Sequence, residues 1–371
     1  MNRKELNVLR GLLSRPVSPF HEEAIVEWIA GWARRREVSF TRDAVGNVVL
    51  RTGRRRRRGG WVFAAHMDHP GFITTRRRGR NVWARFRGSV RPEYGLGERV
   101  RLFAPGGEVT ATVATRRAIR PRPWWSCRLD LDAPADVPPG TVGMWDVPAF
   151  RLRGKRLFAR SCDDLAGVAA VLCSLERVRA AAPSADVTAL LTRAEEAGFV
   201  GALAACRSGT IPRDAMVVAI EASQAHPGAP LGGGAIVRVG DATCTFDRML
   251  DLHISAVARS LARRRKTVRF TRQLMPGGTC ESTVYCVFGF RAAALAMPLG
   301  NYHNMADDGR IGPEQIDLDD FESLVSLLAS LPGGAVTPEA REAALRAHLL
   351  ALLKERGPLL GLSWDGGQDA P

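Results

Sequence analysis

The chain has no apolar run approaching the ~18 residues that cross a bilayer. Its N-terminus, MNRKELNVLRGLLSRP, lacks both the apolar core and the small-residue cleavage site of a secretory signal. A cytoplasmic protein with no membrane partner is expected. There is also no C-x-x-C pair, which argues against a zinc ribbon or a dithiol redox motif. The seven cysteines, Cys127, Cys162, Cys173, Cys206, Cys244, Cys280 and Cys286, are odd in number and scattered, so a disulfide framework is not expected. Reduced thiols in or near the core are the expected state. Aromatic residues do not interleave the run Arg54 to Arg58, and base stacking needs such interleaving.

What is present is a soluble globular composition, with 46% hydrophobic and 25% charged residues in 371. That length suits two or three domains with at least one large core. The net charge of +15 gathers in Arg34–Arg36, Arg54–Arg58, Arg76–Arg78 and Arg263–Arg265. Such runs can bind phosphate backbones. Arg54–Arg58, however, lies between two strand-like runs and ends in Gly59-Gly60, so a solvated turn is favoured over nucleic-acid binding.

The segment His21 to Arg36 places Ala24, Ile25, Ile29 and Trp32 on one helical face, with acids early and arginines late as the helix dipole favours. Asn47–Leu50 and Trp61–Ala65 are predicted strands. From Phe72 to Phe158, short alternating segments punctuated by Pro and Gly predict a separate small β domain. Then the α/β alternation resumes. Helix is predicted for Asp163–Arg177, Glu196–Arg207 and Pro313–Leu331, and strand for Asp186–Thr192, Ala215–Ile220 and Ala292–Leu299. An amphipathic helix is predicted for Pro338–Arg356, with a disordered tail from Ser363 to Pro371. The expected architecture is an α/β domain (1–71 and 159–371) with a mixed sheet flanked by helices, interrupted by a barrel-like β insertion (72–158).

AAHMDHPG places two histidines and a carboxylate within four residues directly after the strand WVFAA. His66 and Asp68 follow that strand, Asp163 opens a helix, Glu195 and Glu196 follow ALLT, Glu221 follows VVAI, and His303 follows AALAMPL. All lie at carboxyl ends of strands or at the start of the next helix, where open α/β sheets build their sites. Residues two apart in extended chain share a side, so Asp68 can orient His66 through its second ring nitrogen. His69 faces the other way and is expected to line the cleft or pack. Adjacent acids at a strand end can diverge, and the pair Glu195-Glu196 could send one carboxylate to a metal and the other to the attacking water, as in a dinuclear hydrolase. Asp163 is the better ligand of its pair, since Asp164 could be a helix cap.

The segments AHMDHPGF (65–72), CDDLAG (162–167), TRAEEAGFVGA (192–202), VVAIEAS (217–223), PGGTCEST (276–283) and PLGNYHNM (298–305) resemble, in order, those of the M42 metallo-aminopeptidases, relatives of the M20/M25/M40 metallohydrolases. The insertion between HMD and DD fits M42 better than M20, whose lid follows the fourth ligand. The resemblance implies a zinc-dependent exopeptidase fold and two divalent ions, zinc by default with cobalt or manganese as alternatives. One ion would be held by His66, Asp163 and Glu221, the other by Asp163, Glu196 and His303. Glu195 would be the general acid/base, acting on a water that bridges the ions, with Asp68 a catalytic residue as the orienter of His66. The substrate would be a short peptide cut at its N-terminal bond. Gly277, Gly278, Thr279 and Glu281 would contact it, and the protein would be a homo-oligomer, a dimer or a dodecamer built from dimers.

Several positions depart from the family pattern. Glu221 stands for the usual Asp, Leu165 for Arg, Cys280-Glu281 for Asp-Ala, and Asn301-Tyr302-His303-Asn304 for Arg-Tyr-Ile-His-Ser. They surround the pocket and so bear on specificity more than on chemistry. A deacylase acting on N-acyl amino acids is the alternative enzyme, and a non-catalytic binding protein that kept the fold is the alternative outside catalysis.

Overall fold

A computed structural model describes residues 1–53, 60–91, 93–119, 124–333 and 336–360. The run Arg54–Arg58 and the tail Ser363–Pro371 lie outside the described residues. An eight-stranded mixed sheet forms the centre. Its spatial order is Ser39–Arg42, Val48–Thr52, Val187–Thr192, Trp61–His66, Met216–Gln224, Arg291–Leu299, Ala235–Gly240 and Phe270–Leu274. The four central strands, from Val187–Thr192 to Arg291–Leu299, are mutually parallel. Their carboxyl ends therefore open on one edge.

Fully buried apolar runs suit strands covered on both faces, and the strand Trp61–His66 shows how. Trp61, Phe63 and Ala65 join a core with helices Arg3–Leu13, Glu23–Arg34, Cys162–Ala181 and Leu318–Ser330. Val62 and Ala64 join a second core with helices Val200–Ser208 and Glu281–Val287. Period-two alternation thus sends successive side chains to different cores.

Between Gly71 and Trp145 six antiparallel strands close a barrel. Phe72, Phe86, Trp125 and Trp145 stack within it, with ring centroids 4.7–6.5 Å apart. The next hairpin, Arg151–Arg153 and Arg156–Ala159, pairs instead with Glu314–Asp317 in a separate three-stranded sheet. Among the described residues no helix is long and apolar enough to cross a membrane.

Two predicted helices start late. The segment predicted from Glu196 becomes helical only at Val200, because Ala194, Gly198 and Phe199 hold left-handed backbone and the chain between makes a turn. The segment predicted from Pro313 opens with the strand Glu314–Asp317. Helix begins at Leu318, where the Asp317 carboxylate accepts the Asp319 N–H at 2.8 Å and caps it. In helix Pro338–Arg356 only Pro338 is buried, and Leu345, Leu349 and Leu350 face water. The strands Ala235–Gly240 and Phe270–Leu274 and the helix Arg248–Arg264 carry no sequence-based prediction above. Two of them shape the site.

Candidate metal centre and cleft

His66 ends its strand, and Glu221 lies in the adjacent parallel strand beyond the last paired residue, Ala219. Glu195 and Glu196 occupy the turn after Val187–Thr192. Asp163 sits in the first, non-helical turn of Cys162–Ala181. His303 follows Arg291–Leu299 on a left-handed backbone at φ 53°. Five chain segments thus deliver six side chains to one sheet edge.

Asp163 lies between the two histidines. Its Oδ1 is 3.4 Å from His66 Nε2 and its Oδ2 is 3.6 Å from His303 Nε2. Glu221 Oε2 lies 4.0 Å and Glu195 Oε2 3.9 Å from His66 Nε2, while Glu196 Oε1 lies 2.9 Å from His303 Nε2. Three overlapping groups have ligand atoms within 4.8 Å of one another: His66, Asp163 and Glu221; Asp163, Glu196 and His303; and His66, Glu195 and Glu196. Asp163 Oδ1 and Glu221 Oε1 are buried without a hydrogen-bond partner. Buried carboxylate oxygens lacking donors, interleaved with imidazoles, are the donor set a divalent transition metal takes. The residues fit such an ion.

Electrostatics agree. Burial and neighbouring acids push Glu195 well above the usual carboxylate range, and burial lifts Glu221 to about 8. Burial pulls His303 down, but Glu196 and Asp163 outweigh it and raise it to about 9. His66 is likewise held well above its ordinary value: Glu195, Asp163 and Asp68 overcome its desolvation.

A second layer fixes the first. His66 Nδ1 donates to the Asp68 carbonyl at 3.1 Å, with the Asp68 carboxylate 3.5 Å away, which turns Nε2 toward the cluster. The main work of that carboxylate lies elsewhere. It accepts the N–H groups of Glu195 at 2.9 Å and Glu196 at 3.1 Å. Glu22 extends the clamp, accepting the Ala194 N–H at 3.1 Å and Arg193 Nε at 2.6 Å. His303 Nδ1 donates to the Ser89 carbonyl at 2.6 Å, so the chain leaving the barrel strand Asn81–Arg87 orients a histidine of the sheet. Glu314 accepts the Asp163 N–H at 3.0 Å and the His303 N–H at 2.9 Å. His69 spans from the Asp163 carbonyl to Asn304 Oδ1 and is thus a strut rather than a bystander. Gly167 is obligatory, because a Cβ there would fall 2.1 Å from the Asp164 carboxylate.

A cavity of about 460 Å³ opens from the cluster. Gly277, Gly278 and Thr279 line it, together with Arg238, His226 and Tyr302. Glu281 is not among the lining residues. It is buried, accepts the Tyr285 hydroxyl at 3.1 Å, and is raised by burial to about 7. Glu22, Ser89, Glu314 and Arg238 escaped sequence reading. Glu22 sat within a segment read as an ordinary surface helix, Glu314 lay inside a predicted helix, Ser89 acts through its backbone, and Arg238 carried no motif.

Residues 46–327 match the family model of the M42 glutamyl aminopeptidases. The chain belongs to the M42 family. It is accordingly a peptidase. No curated protein matches the chain. Among solved structures, this M42 peptidase is similar to the TET1 peptidase of Pyrococcus horikoshii, with 21% identity and a TM-score of 0.72 over 88% of this chain and 99% of that one. It is also similar to the aminopeptidase APDkam598 of Desulfurococcus kamchatkensis, with 19% identity and a TM-score of 0.73 over 92% and 97%. A TET aminopeptidase from a marine sediment thaumarchaeon gives 17% identity and a TM-score of 0.75 over 92% and 99%. At these identities the likeness is one of fold.

Proposed function

We propose that this M42 chain is a dinuclear metal-dependent aminopeptidase that hydrolyses the N-terminal peptide bond of short peptides. The observation that carries the reading is Asp163, whose two oxygens face His66 on one side and His303 on the other, with Glu195 beside them. His66, Asp163 and Glu221 would hold one ion, and Asp163, Glu196 and His303 the second. Zinc is the default, with cobalt or manganese as alternatives. Two divalent ions in such a site supply Lewis acidity toward the scissile carbonyl and toward water.

The chain supplies the rest. Glu195 takes a proton from the attacking water on a carboxylate oxygen and returns it to the departing amine. Asp68, gripping the backbone of Glu195 and Glu196, keeps the base aimed, and Glu196 would hold the second ion. Gly277 and Gly278 allow a peptide backbone to approach closely, and Thr279 offers a hydroxyl at the wall.

The wider reading is also ours. The sheet and its helices follow the layout of zinc-dependent exopeptidases, and the chain works in the cytoplasm. The units are 1–71 with 159–371, and 72–158; the pairing of Arg156–Ala159 with Glu314–Asp317 argues for moving the second boundary toward Trp145. TET1 of Pyrococcus horikoshii is described as assembling into a tetrahedron or an octahedral shell, which supports a homo-oligomer here, with the dimer as its unit and a dodecamer as the larger form.

The test is hydrolysis of aminoacyl anilides, their N-acylated counterparts and N-acyl amino acids by chain loaded with zinc, cobalt or manganese. Free-amine substrates alone should be cut, and chelation should abolish the activity. Faster cleavage of the N-acyl compounds would replace this reading with the deacylase.

A further inference from the structure

The strands Gly71–Arg78, Asn81–Arg87, Trp125–Leu131 and Gly107–Ala118 are successive neighbours in the barrel. Val82, Ala84 and Phe86 point into its core, so Trp83, Arg85 and Arg87 point out by the two-residue period of a strand. Pairing extends that outer face sideways. Trp83 stands between Arg76 and Arg128, and Ser126 stands between Arg85 and Arg117. At the next outward position Arg87 lies over the rings of Trp124 and Phe20, 5.7 and 5.2 Å from their centroids. Aromatic rings thus alternate with arginines across the strands, an arrangement that no linear run of the sequence displays.

The charge on this face is left open. Arg76, Arg85 and Arg117 are exposed, and among the described residues no carboxylate is within ion-pair distance of them. Asp130, at the rim of the face, is held by Arg128 at 2.9 Å. Burial and the like charge of Arg85 pull Arg87 below its ordinary value, so cations crowd here without acids between them. The Arg76 guanidinium lies 4.0 Å over the ring of Trp83. Guanidinium planes and indole rings are the surfaces on which unpaired bases stack. Four residues of extended strand separate Trp83 from Arg87, about 14 Å, so the aromatic ends of the face are a few nucleotides apart. A duplex keeps its bases stacked inside, and a face that joins open arginines to rings is matched to a single strand.

We propose that this outer face of the barrel binds single-stranded nucleic acid, with phosphates against Arg76, Arg85 and Arg117 and bases against the rings at either end. No residue of the metal cluster takes part, so the binding stands apart from the peptidase reading. RNA and DNA share this chemistry, and a contact to the 2′-hydroxyl is what separates them.

The test is fluorescence anisotropy with the full-length chain and end-labelled oligouridine, oligothymidine and duplex DNA, each about ten nucleotides long, within the site sizes of barrel-type binders. The single strands should bind more tightly than the duplex, and the tighter of the two names the sugar. With three phosphates neutralised, raising salt from about 50 to 200 mM should weaken binding roughly twentyfold. Arg85→Glu/Arg117→Glu should weaken it by about tenfold or more. Arg263→Glu/Arg264→Glu, the same change of net charge at the end of helix Arg248–Arg264, should leave it within about twofold of wild type. Trp83→Ala should cost about five- to a hundredfold and reduce the quenching of tryptophan emission by the bound strand, with Trp83→Phe keeping most of the affinity. Melting curves establish that each variant folds. No binding at the lower salt, a duplex bound as tightly as the single strands, or equal losses in the two arginine double variants would overturn the proposal. So would a change of oligomeric state on size-exclusion chromatography in Arg85→Glu/Arg117→Glu, which would make the face a contact between copies.

Discussion

In the barrel Arg101 pairs with Asp146 and Glu108, Arg99 with Asp132, and Arg128 with Asp130, all where solvent reaches. At the carboxyl edge of the central sheet Asp163, Asp164, Glu221 and Glu281 each keep a buried oxygen without a partner. These solvent-exposed pairs contribute little to stability. The charges at the sheet edge are desolvated and crowded, a cost the surrounding core must offset. Solvent-exposed pairs thus decorate the barrel, whereas at the sheet edge acids with unpartnered buried oxygens crowd around His66 and His303.

The contrast can be broken in graded steps. Glu195→Gln should lower kcat by about a thousandfold, within the range for loss of a general base, while metal content measured by mass spectrometry stays at wild-type level. A variant with near-wild-type turnover would move the base elsewhere. Metal loading should raise stability by about 4 kcal/mol at a thousandfold excess over Kd. Glu221→Gln should remove most of that gain and raise the melting temperature of the metal-free chain above pH 8, where the wild type must bury a charge.

A smaller effect belongs to Glu22, raised by burial and by Asp68 to about 7 from the ordinary 4.5. An acid whose folded pKa is raised contributes stability that is complete below pH 4.5 and lost as pH rises through about 7. Denaturant midpoints measured across that window should slope down in the wild type and lie flatter in Glu22→Gln. The smallest change belongs to the barrel. Arg101→Ala should cost about 1 kcal/mol or less, and less still in high salt. A loss several times larger would erase the contrast.

The residues that converge on the edge were legible because a short apolar run followed by a polar residue is a local signal, repeated for His66, Glu195, Glu221 and His303. Their supports were not. Glu314 matters because its strand pairs with Arg156–Ala159 far along the chain, and local helical periodicity in IDLDDFESLVSLL concealed that pairing. Ser89 acts through a carbonyl, which any residue provides. The spacing in HMD suggested that Asp68 faces the His66 side, and its carboxylate lies 3.5 Å from His66 Nδ1. It could not show that the carboxylate would turn to the loop of Glu195 while the carbonyl met the imidazole. The insertion was visible as texture, but the end of the barrel at Trp145 was not, since Arg156–Ala159 alternates like a barrel strand and differs in its distant partner, Glu314–Asp317.

The strand Arg291–Leu299 lies between Met216–Gln224 and Ala235–Gly240, both earlier in the sequence. During synthesis those two strands leave the ribosome first, with the slot between them empty and two ladders of backbone groups unpaired. The slot is filled only when the chain has grown past residue 299, with His303 just beyond it and Glu314 in the next strand. The same insertion that completes the sheet therefore completes the cluster, so a growing chain has no assembled cutting centre until its central sheet is closed.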